Sequence, residues 1–98
     1  MNDAVFEVDA ELWAAESMDP WVFVTLPTEV GDDVRELAGP PRGFGSVRVE
    51  VTVGSTTWRT SVFPDKARGY VLPVKKAVRR AESLEVGDST RLRLVVLG

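Results

Sequence analysis

Four cations stand within one short predicted helix: Lys75, Lys76, Arg79 and Arg80. At about 100° per residue, the apolar side chains of residues 74–84 share one arc and the four cations share the opposite arc. The like charges repeat at a spacing of four, and each such pair costs roughly a few tenths of a kcal/mol. Helix stability alone does not favour this pattern. The cationic face is therefore a candidate surface for binding an anion.

Two further residues extend this candidate site. The start of a helix attracts anions because its backbone N–H groups lack partners, and the first two lysines lie in that turn. Earlier in the chain, Trp58 stands beside Arg59, and this pair suits a planar anion because an indole stacks on a ring while a guanidinium binds its charge. The predicted ligand-binding residues are therefore Trp58, Arg59, Lys75, Lys76, Arg79 and Arg80.

The acidic half of the chain offers these cations another partner. Residues 1–57 carry eleven acidic and three basic residues, a balance of −8, whereas residues 58–98 carry four and nine, a balance of +5. Asp32, Asp33 and Glu36 of a predicted first helix are the expected partners, within one molecule or across a dimer. Three interpretations stay open: charge pairing, a small anionic ligand, or nucleic acid.

The composition argues against enzymatic chemistry. The chain has no cysteine and no histidine, so thiol and imidazole groups are absent as nucleophiles, general bases and metal ligands. The run Gly43-Phe44-Gly45 lacks the third glycine and the following helix of a phosphate-binding loop. We predict no enzymatic activity, no metal and no cofactor.

The hydrophobic pattern predicts a mainly β fold. Alternating or continuous apolar runs predict six strands, over residues 5–14, 21–26, 47–53, 57–63, 70–72 and 91–97. A polar break over residues 16–20 separates the first two. One short helix is predicted to begin at Pro27 and end before Gly39-Pro40-Pro41, and a second to begin at Pro73. Six strands with two short helices is a β-barrel composition.

The chain also contains a short internal repeat. A strand, a Leu-Pro pair and a helix occur first at Leu26-Pro27 and again at Leu72-Pro73, 46 residues later. This repeat predicts a barrel with pseudo-two-fold symmetry. The expected fold is a small closed barrel of about six strands and two short helices, formed as one domain over residues 1–98.

Several segments together carry a resemblance to a known family. They are Trp21-x-Phe23-Val24-x-Leu26-Pro27, Gly45-Ser46-Val47-Arg48-Val49, Trp58 to Pro64, and Tyr70-x-Leu72-Pro73-x-Lys75-x-x-Val78-Arg79 through Gly87-Asp88. With these segments the chain resembles the bacterial domain of unknown function 1905 over nearly its whole length. The resemblance implies a double-split β-barrel, distantly similar to the swapped-hairpin DNA-binding domains of transition-state regulators and antitoxins. It implies no reaction.

The favoured function is a non-enzymatic module that binds a small anionic ligand or a protein partner. The alternative is a DNA-binding regulator of the swapped-hairpin type, although the first predicted helix is acidic where such a protein would be basic. A second alternative is a structural, self-associating domain. The first twenty residues carry acidic and no basic residues, and no apolar run is long enough to span a bilayer, so we expect a cytoplasmic monomer or homodimer.

Overall fold

The computed structural model describes residues 5–16, 21–38 and 45–97. In chain order its elements are β1 (Val5–Glu11), β2 (Trp13–Ala14), β3 (Val22–Thr25), α1 (Thr28–Ala38), β4 (Val47–Val53), β5 (Thr56–Asp65), β6 (Gly69–Pro73), α2 (Lys76–Ala81) and β7 (Ser89–Val96). Most of the predicted polar break, the predicted helix stop Gly39-Pro40-Pro41, and the Gly43-Phe44 part of the loop before β4 lie outside the described residues.

The strands form one antiparallel sheet that curls on itself. Their order across the sheet is β1-β7-β4-β5-β6-β3-β2. Strands β1 and β2 stand at opposite edges of this order, yet Leu12 alone separates them along the chain, so the two edges must come together. The long strand β5 pairs with β4 through its first part and with β6 through its last. The predicted small barrel-like, mainly β fold is confirmed.

Leu12 closes the seam between the two edges. Its side chain is fully buried. Its N–H donates to the carbonyl oxygen of Asp88 at 2.9 Å, and its own carbonyl oxygen accepts from the N–H of Gly87 at 2.8 Å. These bonds to the turn before β7 interrupt the first predicted strand. The described residues therefore contain seven strands instead of about six.

The barrel interior is filled by the inward residues of alternating strands. Strand β4 sends four valines inward, and β7 contributes Leu92 and Leu94 opposite them. In the register, Val51 lies between Leu94 of β7 and Trp58 of β5. The period-two pattern of the sequence thus becomes one continuous apolar core, since successive strand side chains point to opposite faces.

The second helix is shorter than predicted and begins later. Pro73 ends β6, opposite Phe23, instead of starting the helix. The N–H of Val74 donates to the carbonyl oxygen of Val22 at 2.8 Å, so the ladder continues past the proline. Lys75 is the N-cap in an extended conformation. The predicted apolar arc holds for Val74 and Val78, which are buried, but not for the two alanines of α2, which are exposed.

The two halves are related by a pseudo-two-fold axis between β3 and β6. The N–H of Leu26 donates to the carbonyl oxygen of Tyr70 at 3.0 Å, just as Val74 donates to Val22. The separations from Val22 to Tyr70 and from Leu26 to Val74 are both 48 residues. Helix α1 begins at residue 28 and α2 at residue 76, again 48 apart. The predicted repeat is confirmed, but the two Leu-Pro pairs, 46 residues apart, are not equivalent positions.

Within the described residues, no helix has the length and apolar character needed to cross a lipid bilayer.

Candidate ligand-binding cleft

Three of the predicted cations line one surface cleft of about 470 Å³. The cleft lies where the beginning of β3 meets the beginning of α2, and we call it the α2 cleft. Its walls are formed by Trp21, Val22, Pro73, Val74, Lys75, Lys76 and Arg79. The combination is one aromatic ring, an apolar floor and three positive charges.

Strand register brings these residues together across 50 positions of sequence. Phe23 pairs with Pro73, and the next bond joins Val74 to Val22. Continuing this antiparallel register places Trp21 opposite Lys75. The carbonyl oxygen of Trp21 accepts from the N–H of Ala15 at 2.8 Å, which holds its backbone against the end of β2. The indole itself is 61% exposed, so its ring is available to a ligand.

Arg79 is fixed at the wall of the cleft by its own helix. Its Nε donates to the carbonyl oxygen of Val74 at 3.0 Å, and the side chain is half-buried. Lys75 contributes its backbone carbonyl to the first turn, accepting from Val78 at 3.0 Å and Arg79 at 3.1 Å. Its side chain makes no capping bond and is exposed, as is Lys76. Arg79 is thus held by a hydrogen bond, whereas the two lysine side chains extend into solvent.

The acidic face of α1 does not neutralise these cations. The ion pairs formed within the described residues join Arg59 to Glu50, Arg68 to Asp65, and Arg91 to Glu7 and Asp9. None of them includes a cation of the α2 region. Asp32, Asp33 and Glu36, the expected partners, are exposed on α1. Among the residues that the structure describes, charge pairing within one molecule therefore does not account for the cationic face.

The remaining predicted residues lie elsewhere. Trp58 is only 7% exposed and packs inside the barrel opposite Val51, so a ligand cannot stack on its ring while the core is intact. Arg59, the next residue of β5, points outward, with its Nε 3.6 Å from the Glu50 carboxylate. Neither residue lines the α2 cleft. The pairing of Trp58 with Arg59 in one site was wrong because neighbouring strand residues face opposite sides of a sheet.

Arg80 lies on the far side of α2. It is exposed and lines a shallower depression of about 340 Å³ together with Ser83, Leu84 and Glu85. Lys76 and Arg79 border both depressions. Arg80 is therefore near the α2 cleft but not part of its wall.

The predicted site did not include the apolar residues of the cleft wall, and Trp21 is the aromatic one among them. Its segment is apolar on both faces, which predicts a buried strand, but Trp21 stands one residue before β3 begins. Its ring stacks beside that of Phe23, with centroids 6.3 Å apart and planes inclined by 17°. The sequence did contain a sign that Trp21 is exposed, because this tryptophan directly follows the polar break, where the end of a strand meets solvent.

The other half of the barrel contains an equivalent cleft of about 190 Å³ at the start of α1. We call this second cleft the α1 cleft. Positions of its lining correspond to positions of the α2 cleft that lie 48 residues away along the chain. Lys75, Lys76, Arg79 and Trp21 correspond to Pro27, Thr28, Gly31 and Gly69. The α1 cleft carries charges at other positions, namely Asp32, Arg35 and Arg68. The fold itself therefore does not require cations or an aromatic ring at these four positions.

The architecture defines the class of protein: a small, mainly β, barrel-like domain with one cleft at the start of each short helix. Residues 9–94 match the family described as domain of unknown function (DUF1905), and the chain belongs to that family. The resemblance found in the sequence segments is thereby confirmed. No curated protein matches the sequence. The family description assigns no activity, so function has to be argued from the cleft.

Proposed function

We propose that this chain is a non-enzymatic module that binds a small organic anion in the α2 cleft. The anionic group, a phosphate or carboxylate, is held by Lys75, Lys76 and Arg79. A planar or apolar part of the same ligand lies against Trp21. The volume of about 470 Å³ is within the range of small-molecule sites.

The observation that carries this proposal is the contrast between the two clefts. Equivalent backbone positions hold three cations and a tryptophan in one half, and proline, threonine and two glycines in the other. The like charges also carry a cost in helix stability, because they repeat at a spacing of four. A bound anion offsets that cost.

The residues of the cleft suit binding better than catalysis. The wall of the α2 cleft contains donors and apolar groups, and the seven described residues that line it include no carboxylate and no hydroxyl. The chain has neither histidine nor cysteine. Proton transfer and nucleophilic attack would have to rely on a lysine alone. Anion capture needs only the charges and the ring.

Calorimetric titration tests the proposal with four probes: inorganic phosphate, AMP, adenosine and benzoate. We expect AMP to bind more tightly than phosphate or adenosine, because only AMP engages both the cations and the indole. Binding of AMP should also change tryptophan fluorescence, since Trp21 is the most exposed of the large apolar side chains described. Absence of binding by all four probes would contradict the proposal.

A pair of double variants separates the cleft from general electrostatics. Lys75→Ala/Lys76→Ala should weaken AMP binding about tenfold or more, because hydrogen bonds to charged groups contribute roughly 1.5–3 kcal/mol each. Arg59→Ala/Arg80→Ala removes the same charge from exposed positions outside the cleft and should leave affinity within about twofold. Equal losses in both variants would show that only the net charge matters.

The regulator and self-association interpretations remain predictions. Duplex binding would require phosphate contacts from a six-residue helix in a domain whose other helix is acidic and exposed. Self-association would pair the acids of α1 in one copy with the cations of α2 in another. Both lead to strong salt dependence, whereas stacking on Trp21 does not.

A further inference from the structure

A row of three aromatic side chains runs outward from the α2 cleft along the surface of the sheet. Trp21 stacks beside Phe23 at 6.3 Å, and Phe23 contacts Trp13 of β2 with ring centroids 5.2 Å apart and planes inclined by 31°. We call Trp21, Phe23 and Trp13 the aromatic row. Trp13 and Phe23 are half-buried.

Register and alternation place the row on the outer face. Val22 and Val24 of β3 point into the core, so Phe23 between them points outward. Trp13 pairs with Phe23 and follows Leu12, which is buried. The Nε1 of Trp13 donates to the Thr25 hydroxyl oxygen at 2.9 Å, which sets the orientation of the indole. The row is a defined surface feature and not part of the barrel interior.

Cations stand at both ends of the row. The Trp21 end opens into the α2 cleft with its two lysines and Arg79. At the other end, the guanidinium of Arg68 lies 4.1 Å from the ring centroid of Trp13. The neighbouring Asp65 uses Oδ1 to accept from the N–H groups of Ala67 and Arg68, and its Oδ2 is 4.0 Å from the Arg68 side chain. That carboxylate shapes the turn and pairs only loosely with the arginine.

We propose that the aromatic row binds single-stranded nucleic acid. Unpaired bases stack on the exposed Trp21 and continue past Phe23 towards Trp13, whose ring is already covered by Arg68. The phosphates run from the cations of the α2 cleft to Arg68. Aromatic platforms bordered by positive charge are the general means by which proteins hold single strands, because every base has a stacking face. Duplex DNA cannot use the row, since its bases are already stacked. The inference rests on the proposed function, because one nucleotide occupies the α2 cleft.

Fluorescence anisotropy of a labelled oligothymidylate of about eight nucleotides tests this inference, a length within the range covered by one small barrel. We expect saturable binding with a log–log salt slope of about −2 to −3, corresponding to three or four neutralised phosphates. Trp21→Ala should weaken binding about fivefold or more. Trp21 is exposed, so this change should leave the fold intact.

Arg68 distinguishes a strand from a single nucleotide. Arg68→Ala should weaken binding of the oligothymidylate and make its salt slope shallower by about 0.7, while affinity for the mononucleotide dTMP stays unchanged. Lys75→Ala should weaken both ligands. The matched control is Arg59→Ala, which removes an exposed arginine from another part of the sheet and should change neither.

Inorganic polyphosphate and a duplex of the same length complete the experiment. If either binds as tightly as the single strand, the role of stacking is overturned. If Arg68→Ala or Trp21→Ala leaves oligothymidylate affinity unchanged, the single strand does not bind along the aromatic row. If small anions bind but the oligothymidylate does not, this inference fails and the proposed function stands; if nothing binds, both fail.

Discussion

Arg91 of β7 shows how single residues link the acidic and basic parts of the chain. Its Nε and Nη2 donate to the two carboxylate oxygens of Asp9 at 3.0 and 3.1 Å, and Nη1 lies 3.4 Å from the Glu7 carboxylate. The hydrogen bond from Arg91 lowers the pKa of Asp9 below its ordinary value of 3.8, and the same contact raises the pKa of Arg91. These contacts join the first and last strands of the chain, which are neighbours in the sheet.

Because the pKa of Asp9 is lower in the folded chain than in the unfolded one, this carboxylate contributes stability above its ordinary pKa. The contribution is lost as the pH falls through the folded pKa. We expect Asp9→Asn to reduce the loss of melting temperature between about pH 5 and pH 2 compared with the original chain. Thermal melts at a series of pH values measure this.

The control for this prediction is Glu11→Gln, which changes an exposed acid of β1 that faces Ser89 instead of an arginine. It should keep the acid-induced loss close to that of the original chain. If Asp9→Asn loses melting temperature as steeply as the original chain, the contact between Asp9 and Arg91 does not persist in solution.

At the scale of elements, helix α2 depends on contacts outside itself. Six residues are too few for an isolated helix to be stable in water. Glu82, the residue that caps the end of α2, reaches the turn between β4 and β5. Its carboxylate accepts hydrogen bonds from the N–H of Ser55 at 3.3 Å, from the Ser55 hydroxyl at 3.4 Å and from the Thr56 hydroxyl at 2.5 Å. Gly54 of that turn has φ +58°, and a Cβ there would meet the same carboxylate.

We therefore expect Glu82→Ala to lower the free energy of unfolding by about 1–2 kcal/mol, because three donors lose a charged acceptor. Glu82→Gln keeps one carbonyl acceptor and should lose less. Urea denaturation measures both. The control is Glu85→Ala, an exposed acid of the following loop, expected to stay within about 0.5 kcal/mol. Equal stability of Glu82→Ala and the original chain would show that α2 is held by Val78 and its apolar contacts alone.

At the scale of the whole molecule, the two edges of the barrel-like sheet meet at Leu12. The side chain of Leu12 is fully buried. Its backbone N–H and carbonyl oxygen form hydrogen bonds to the turn before β7. Leu12 is also the residue at which the chain passes from β1 at one sheet edge to β2 at the other. A cavity at this position affects both β1 and β2, which share few contacts with the rest of the sheet beyond their single neighbours.

Leu12→Ala should lower the free energy of unfolding by about 2–5 kcal/mol, and Leu12→Val by a smaller amount, because the loss grows with the cavity left behind. Urea denaturation gives both values. Leu97→Ala, at a position 40% exposed, should cost less than about 1 kcal/mol. A loss for Leu12→Ala no larger than that for Leu97→Ala would mean that the seam is open in solution.

The distribution of charge also belongs to the whole molecule. The balance of −8 in residues 1–57 and +5 in residues 58–98 predicts mutual attraction of the two parts. Within the described residues, this attraction is realised between β1 and β7 through Arg91 and between β4 and β5 through Glu50 and Arg59, and not between α1 and α2. The reason is topological, since β1 and β7 are neighbouring strands, whereas the two helices cover opposite halves of the pseudo-symmetric barrel.

Residue types and local spacing were enough to predict a mainly β fold, two short helices, a pseudo-two-fold repeat and a cationic cluster at residues 75–80. The strands, the helices and the cationic cluster each follow from a pattern within ten or so neighbouring residues, because side-chain alternation and helical periodicity are local. The repeat follows from comparing two such local patterns. The alternation of residues 47–53, for example, predicts β4 with its full extent.

The tertiary structure decided which residues share a site. Trp58 lies within β5, and Trp21 stands one residue before β3. The pairing of β5 with β4 turns Trp58 inward, and the pairing of β3 with β6, continued by two residues, puts Trp21 opposite Lys75. The register between β3 and β6 also showed that equivalent positions of the two halves are 48 residues apart, and not 46 as the two Leu-Pro pairs suggested. These outcomes depend on hydrogen bonds between segments distant in sequence, and a shift of one residue in such a register moves every side chain to the opposite face of the sheet.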